Sequence, residues 1–203
     1  MTVHSHWLFK ASQIINDGGV VALPYERLFG LAANALNPEA VARVAAIKSR
    51  TLGAPDRRPI SVVISSLDQV QKVTSSFSPL AQRLAERHWP GLLTMICEAK
   101  EGLAAELVSD VGLIGVRYPG DCPALELARA SGCVLTATSA NRAGAVDALS
   151  DDDVHGLEGI DLIVPGTVAG PPGSTVVDVT GEHLRIVRLG AVALDNVDDS
   201  GED

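Results

Sequence analysis

The chain has 203 residues, of which 46% are apolar, 20% charged and only 3% aromatic, and its net charge is −9. That make-up belongs to a soluble globular domain with room for a substantial core, and it excludes both a broad basic surface and a set of aromatic platforms for nucleic-acid bases. Five acids and no base fall within 195–203, so the chain reads as one domain over 1–194 and an acidic tail expected to be disordered.

In chain order, residues 7–17 carry apolar side chains at Trp7, Leu8, Ala11, Ile14 and Ile15, a helical stripe that Gly18 and Gly19 end. A short buried strand is predicted at 20–23, stopped by Pro24, and the pattern assigns no element to 27–36. Asn37, Pro38 and Glu39 then mark a helix start that should run to about Lys48. A strand at 60–65, a helix at 67–73 and a helix opened by Ser78 and Pro79 and running to His88 follow. Trp89-Pro90-Gly91 is a turn into a strand at 93–97. The pattern continues with a strand at 111–117, a helix at 123–131 stopped by Gly132, and a strand at 133–138. Late strands are expected at 162–164, 175–179 and 184–187, with Thr180-Gly181 turning between the last two. Several strands are continuous apolar runs, which predicts a mixed, twisted sheet covered on at least one face by helices: an α/β domain.

Three cysteines, Cys97, Cys122 and Cys133, show no Cys-x-x-Cys spacing, and five histidines form no His-Glu-x-x-His pattern. They read as buried thiols of a reducing compartment, with no protein metal site. No signal peptide precedes the first amphipathic segment and no apolar run approaches membrane-spanning length, so a cytoplasmic protein is expected.

Chemistry concentrates in IKSRTLGAPDRRPIS, residues 47–61, where Lys48, Arg50, Arg57 and Arg58 fall within one short stretch. Two such cations ~6 Å apart repel by about 0.7 kcal/mol in water and about 3 kcal/mol at an effective dielectric near 20. The cluster is therefore either a wet loop or the lining of an anion site, and Lys48 alone could simply serve its helix C-terminus. After the strand CVLTAT comes TSANRAG, residues 138–144. Ser139 and Asn141 there could offer hydroxyl and amide bonds to a phosphate, ribose or carboxylate, or form a plain turn. Ser174, Arg117 and Arg188 stand at strand ends with the same two readings. No Walker lysine, dinucleotide glycine fingerprint or serine-nucleophile elbow is present.

Together and in order, these elements resemble the YrdC-like family, the threonylcarbamoyl-adenylate synthases. The series is Pro24 with Leu28-Phe29-Gly30-Leu31, Lys48-Ser49-Arg50, Arg58-Pro59-Ile60, Trp89-Pro90-Gly91, Val116-Arg117, TSANRAG, Ser174-Thr175-Val176-Val177-Asp178 and Arg188-Leu189-Gly190-Ala191. It covers the chain from about Lys10 to Ala191 and matches the short, single-domain members.

The resemblance implies an α/β domain with a large concave basic cleft, and synthesis of L-threonylcarbamoyladenylate from L-threonine, bicarbonate and ATP with Mg²⁺, releasing pyrophosphate. The product would feed the tRNA threonylcarbamoyl transferase machinery that makes N6-threonylcarbamoyladenosine (t6A37). By this resemblance Lys48 and Arg50 hold the ATP phosphates and serve as the catalytic cations, and Arg188 binds the nucleotide. Ser139 and Asn141 bind nucleotide and carbamate, while Arg58, Arg117 and Ser174 bind the amino acid. The basic loop would close over the site, because a carbamate and a mixed anhydride both decompose in water.

Two departures stand out. The family's Pro-Thr-(Asp/Glu)-Thr is here Pro24-Tyr25-Glu26-Arg27, which puts Tyr25 in the amino-acid pocket, and Leu92 replaces the proline after Trp-Pro-Gly. Two alternatives follow: a paralogue that adenylates another carbamate or carboxylate, and a non-catalytic RNA-binding or ribosome-associated protein. The acidity and the scarcity of aromatics weigh against the RNA reading.

Overall fold

Apolar runs too short for helices and bounded by turn residues become strands, and they join into one mixed sheet. The computed structural model describes residues 3–48, 58–142 and 144–194. Arg50, Arg57, most of the basic loop and the acidic tail lie outside the described residues, and so do the expectations of a closing loop and a disordered tail.

The strands are β1 (Val21–Pro24), β2 (Phe29–Ala32), β3 (Ser61–Val63), β4 (Leu93–Glu98), β5 (Leu113–Arg117), β6 (Leu135–Ser139), β7 (Leu162–Ile163), β8 (Thr175–Asp178) and β9 (Arg185–Arg188). Their order across the sheet is β7-β1-β2-β6-β3-β5-β4-β8-β9. The pairs β1–β7, β3–β5 and β4–β8 are parallel and the other neighbours antiparallel.

The helices are α1 (Val3–Asn16), α2 (Pro38–Ile47), α3 (Val70–Val73), α4 (Pro79–His88) and α5 (Pro123–Ser131). Their ends follow local chemistry. The Asn37 side chain accepts from the amides of Glu39 and Ala40, Ser78 accepts from Ala81, and α5 stops at Gly132 in the left-handed region, φ 70°.

Helices cover both faces of the sheet. One core packs α2, α3 and α4 against Val20, Ala22, Phe29, Leu31, Val62, Leu93, Met95, Val116 and Val177. The other packs α1 and α5 against Val21, Leu23, Ala32, Val63 and Leu135. Strand residues therefore alternate between two apolar layers, which is why β1 reads as an unbroken apolar run.

The sequence pattern missed β2 altogether, since FGLA lacks β-branched residues, and tertiary pairing with β1 and β6 makes it a strand. Pro24 does not stop β1 but is its last paired residue, opposite Phe29. β5 begins at Leu113 because Gly112, at φ 80°, turns back to Ser109. The helix expected at 67–73 is a 3-10 turn (Leu67–Gln69) followed by the single turn of α3.

Candidate functional site

A strand covered on both faces needs apolar residues at both parities, whereas a strand with one open face needs them at only one. β4, β5 and β8 are of the second kind, and β3 lies at the boundary, with Val63 in the α1–α5 core and Ser61 on the open side. Val62, Leu93, Met95, Ile114, Val116 and Val177 enter the larger core, while Ser61, Thr94, Gly115, Val176 and Asp178 alternate with them and face a hollow. The α1–α5 core draws nothing from β4, β5, β8 or β9 among the described residues. What remains is a cleft of about 1020 Å³ whose floor is the uncovered half of the sheet.

The walls come from distant parts of the chain. Arg58 precedes β3, Arg117 ends β5, and Arg188 ends β9, and all three line the hollow. Arg188 senses the other two. Burial, and then the nearby charges of Arg58 and Arg117, push the Arg188 guanidinium below its ordinary range, with Asp147 acting in the opposite sense. Arg188 Nη2 donates to the Ser174 carbonyl at 2.7 Å and to Ser174 Oγ at 3.2 Å, and Ser174 Oγ shares a 2.8 Å hydrogen bond with Thr94 Oγ1. Arg117 Nη2 lies 2.6 Å from Glu26 Oε2, and Glu26 Oε1 accepts from the Gly120 amide at 2.7 Å.

Lys48, at the C-cap of α2, is only 2% exposed. Its Nζ donates to the Ser139 carbonyl at 2.7 Å, to Ser139 Oγ at 3.3 Å and to Asn141 Oδ1 at 2.6 Å. Ser139 Oγ also donates to Asn141 Oδ1 at 2.7 Å, and Asn141 Nδ2 donates to the Ala145 carbonyl at 2.7 Å. The ammonium thus sits beneath the loop that follows β6. Ser139 lines the cleft, Asn141 lines a smaller hollow that shares Asp147 with it, and Lys48 lines neither.

Tyr25 runs under β2. Its ring occupies the space that a side chain at Gly30 would need, and its hydroxyl donates to the Thr136 carbonyl at 2.7 Å. The residue is 7% exposed and belongs to the α1–α5 core, with one side on the cleft. Arg27 also lines the cleft, where it donates to the carbonyls of Gly170 at 2.8 Å and Pro171 at 3.1 Å.

Of the residues singled out from the sequence, Tyr25, Arg58, Arg117, Ser139, Ser174 and Arg188 converge on one hollow. Asn141 lines the smaller hollow beside it, Lys48 is bonded to Ser139 and Asn141, and Arg50 lies outside the described residues. Sequence reasoning missed Thr94, Asp147, Asp178 and Arg185, all of which line the cleft. Thr94 and Asp178 were signalled by a polar residue recurring at one parity of an otherwise apolar strand. Asp178 is bound to Thr180 and Arg185, while Asp147 accepts from Asn141 Nδ2 at 3.3 Å. Asp151, Asp152 and His155 approach one another within 4.8 Å but do not line the cleft. Cys97, Cys122 and Cys133 are free thiols, and burial pushes Cys97 up to about 12, which leaves it protonated and inert. Hydroxyls, an amide-braced loop and several guanidiniums suit an anionic ligand, and no cysteine, histidine or lysine nucleophile joins them on the described cleft wall.

A mixed α/β sheet with one half-open face and an arginine-bearing hollow on it defines the class of protein. Within that class the chain belongs to the Sua5/YciO/YrdC family, described as "Telomere recombination", which it matches over residues 13–190. It is 32% identical over 196 residues to a Threonylcarbamoyl-AMP synthase of Bacillus subtilis, covering 93% of this chain and 55% of that protein. It is likewise 32% identical over 174 residues to the protein of that name from Methylobacillus flagellatus, covering 84% of this chain and 94% of that one. The crystal structure of P. abyssi Sua5 complexed with L-threonine superposes with a TM-score of 0.82 at 31% identity, over 90% of this chain and 54% of that one. The chain thus spans about half the length of the Bacillus and Pyrococcus relatives.

Proposed function

We propose that the chain makes L-threonylcarbamoyladenylate from L-threonine, bicarbonate and ATP with release of pyrophosphate, for the t6A modification of tRNA in the cytoplasm. One observation carries the reading: guanidiniums from three distant segments, Arg58, Arg117 and Arg188, line the same hollow. The names of its relatives, and a threonine complex at 31% identity, supply the reaction. Threonine's amine takes up CO₂ as a carbamate, and a carbamate oxygen attacks the α-phosphorus of ATP as the P–O bond to pyrophosphate breaks. The protein need only align these groups and offset charge.

In this reading Arg117, Arg58 and Ser174 receive the amino-acid carboxylate, and Arg188 and Ser139 the nucleotide. Lys48 sets the Ser139–Asn141 loop and adds positive charge beside the phosphates, with Arg50 completing the phosphate contacts. Mg²⁺ enters on ATP, where it draws off triphosphate charge. Asp147 and Asp178 are the two carboxylates on the described cleft wall, and Asp178 is engaged by Arg185. Such a pair fits a metal carried by the substrate better than one held by the protein.

Tyr25 favours a second reading, in which another carbamate or carboxylate is adenylated, because its hydroxyl is committed to the Thr136 carbonyl and only the ring is offered to a ligand. The deciding experiment supplies ATP, Mg²⁺, bicarbonate and single amino acids and follows pyrophosphate. Release with threonine is expected. Release with a different acid transfers the conclusion to the second reading, and no release with any acid removes both.

A further inference from the structure

We propose that Glu26 is a positioning residue that acts through Arg117, holding its guanidinium in one orientation for an anionic substrate. The inference rests on the adenylate-forming reading for its substrate but not for its geometry. Glu26 sits in the turn between β1 and β2 and spans two other elements: Oε2 meets Arg117 Nη2 at the end of β5, and Oε1 accepts from Gly120 in the following loop. Both side chains are nearly buried, 12% and 11% exposed.

The pairing is one-armed. An arginine and a carboxylate usually meet through two parallel bonds, but here the Gly120 amide has taken the second oxygen. The contact is a close ion pair without hydrogen-bond alignment: Glu26 Oε2 and Arg117 Nε are both buried with no hydrogen-bond partner among the described residues. Among those residues Glu26 is the carboxylate that pairs with Arg117, which itself lines the cleft wall.

A guanidinium that shares one hollow with Arg58 and Arg188 would otherwise turn outward to relieve repulsion. Glu26 anchors it inward, and the Gly120 bond stops Glu26 from swinging after it. An incoming carboxylate then meets a fixed donor rather than a mobile one, so less ordering accompanies binding.

The test compares wild type with Glu26→Gln, Arg117→Lys and the double variant. Gln keeps an acceptor for the Gly120 amide while removing the charge that holds Arg117. In pyrophosphate release, Glu26→Gln should raise KM for the amino acid about tenfold and leave KM for ATP within about twofold, the loss expected for one charge-assisted contact. The double variant should be no worse than Arg117→Lys, because the two residues act as one unit. Losses that multiply, or that fall equally on both substrates, would overturn the proposal.

A readout independent of turnover is the Arg117 guanidinium resonance in NMR, assigned by its absence in Arg117→Lys. Separate, slowly rotating Nη signals are expected in wild type, collapsing to one in Glu26→Gln. An already averaged signal in wild type, or an unchanged one in the variant, sinks the positioning role whatever the reaction proves to be. Failure of pyrophosphate release alongside the expected spectra would instead reject the adenylate reading and leave the positioning role standing.

Discussion

Tyr25 is a polar residue made into core. Burial, and after it the charge of Cys122, pushes its phenol well above the ordinary range, against a smaller pull from Arg117, so it remains a hydrogen-bond donor. The group it reaches is the Thr136 carbonyl, near the start of β6. Gly30 is glycine because the ring lies where its Cβ would be, so positions 25 and 30 are a matched pair. Tyr25→Phe keeps the ring and strips the donor, leaving a buried carbonyl unsatisfied. The expected cost is about 1–3 kcal/mol in urea unfolding, and a variant as stable as wild type would show that the carbonyl finds another donor. The odd residue in the motif was plain in the sequence, but the direction of its side chain was not.

Among the elements, α2 is fastened to the sheet edge by a charge as well as by its apolar face. Asp161, just before β7, accepts from the Val20 amide at 2.7 Å and pairs with Arg43 of α2 at 2.8 Å. Burial pushes its carboxyl up, but the hydrogen bonds from Arg43 and Val20 and the Arg43 charge outweigh that, leaving it below the ordinary carboxylate value. A carboxyl lowered by folding lends stability that is fully present above its unfolded value of 3.8 and lost as pH falls through the folded one. The two side chains are 38% and 42% exposed, so solvent screening limits the effect to about 1 kcal/mol. Asp161→Asn should therefore be less stable than wild type near neutrality, and the gap should close as pH falls through the folded carboxyl's value. A gap that persists in acid would assign the loss to packing instead.

For the molecule as a whole, the cleft exists because two helices cover only part of one sheet face. Val176 and Val177 are adjacent in β8 but lie on opposite sides of that boundary, one lining the hollow and the other fully buried in the larger core. Val176→Trp should fill the cleft and abolish nucleotide binding while shifting stability by no more than about 0.5 kcal/mol, as for a surface change. Val177→Trp should overpack the core and cost at least about 1–3 kcal/mol. Calorimetric binding and urea midpoints on the pair decide the matter. Equal destabilisation by both would mean the floor of the cleft is not open.

Elements with local signals were legible in the bare chain: α2 from Asn37-Pro38, α4 from Ser78-Pro79, the stop at Gly132, and most of the apolar strands. Capping bonds, ring constraints and period are properties of a few neighbouring residues, and they survive without a partner. The family resemblance was legible too, and through it residues that now share one hollow. Folding alone made FGLA a strand, turned Lys48 toward the Ser139 loop instead of the open cleft, and set Glu26 against Arg117. Each of those depends on groups brought together from tens of residues apart, a distance over which neither propensity nor periodicity carries information.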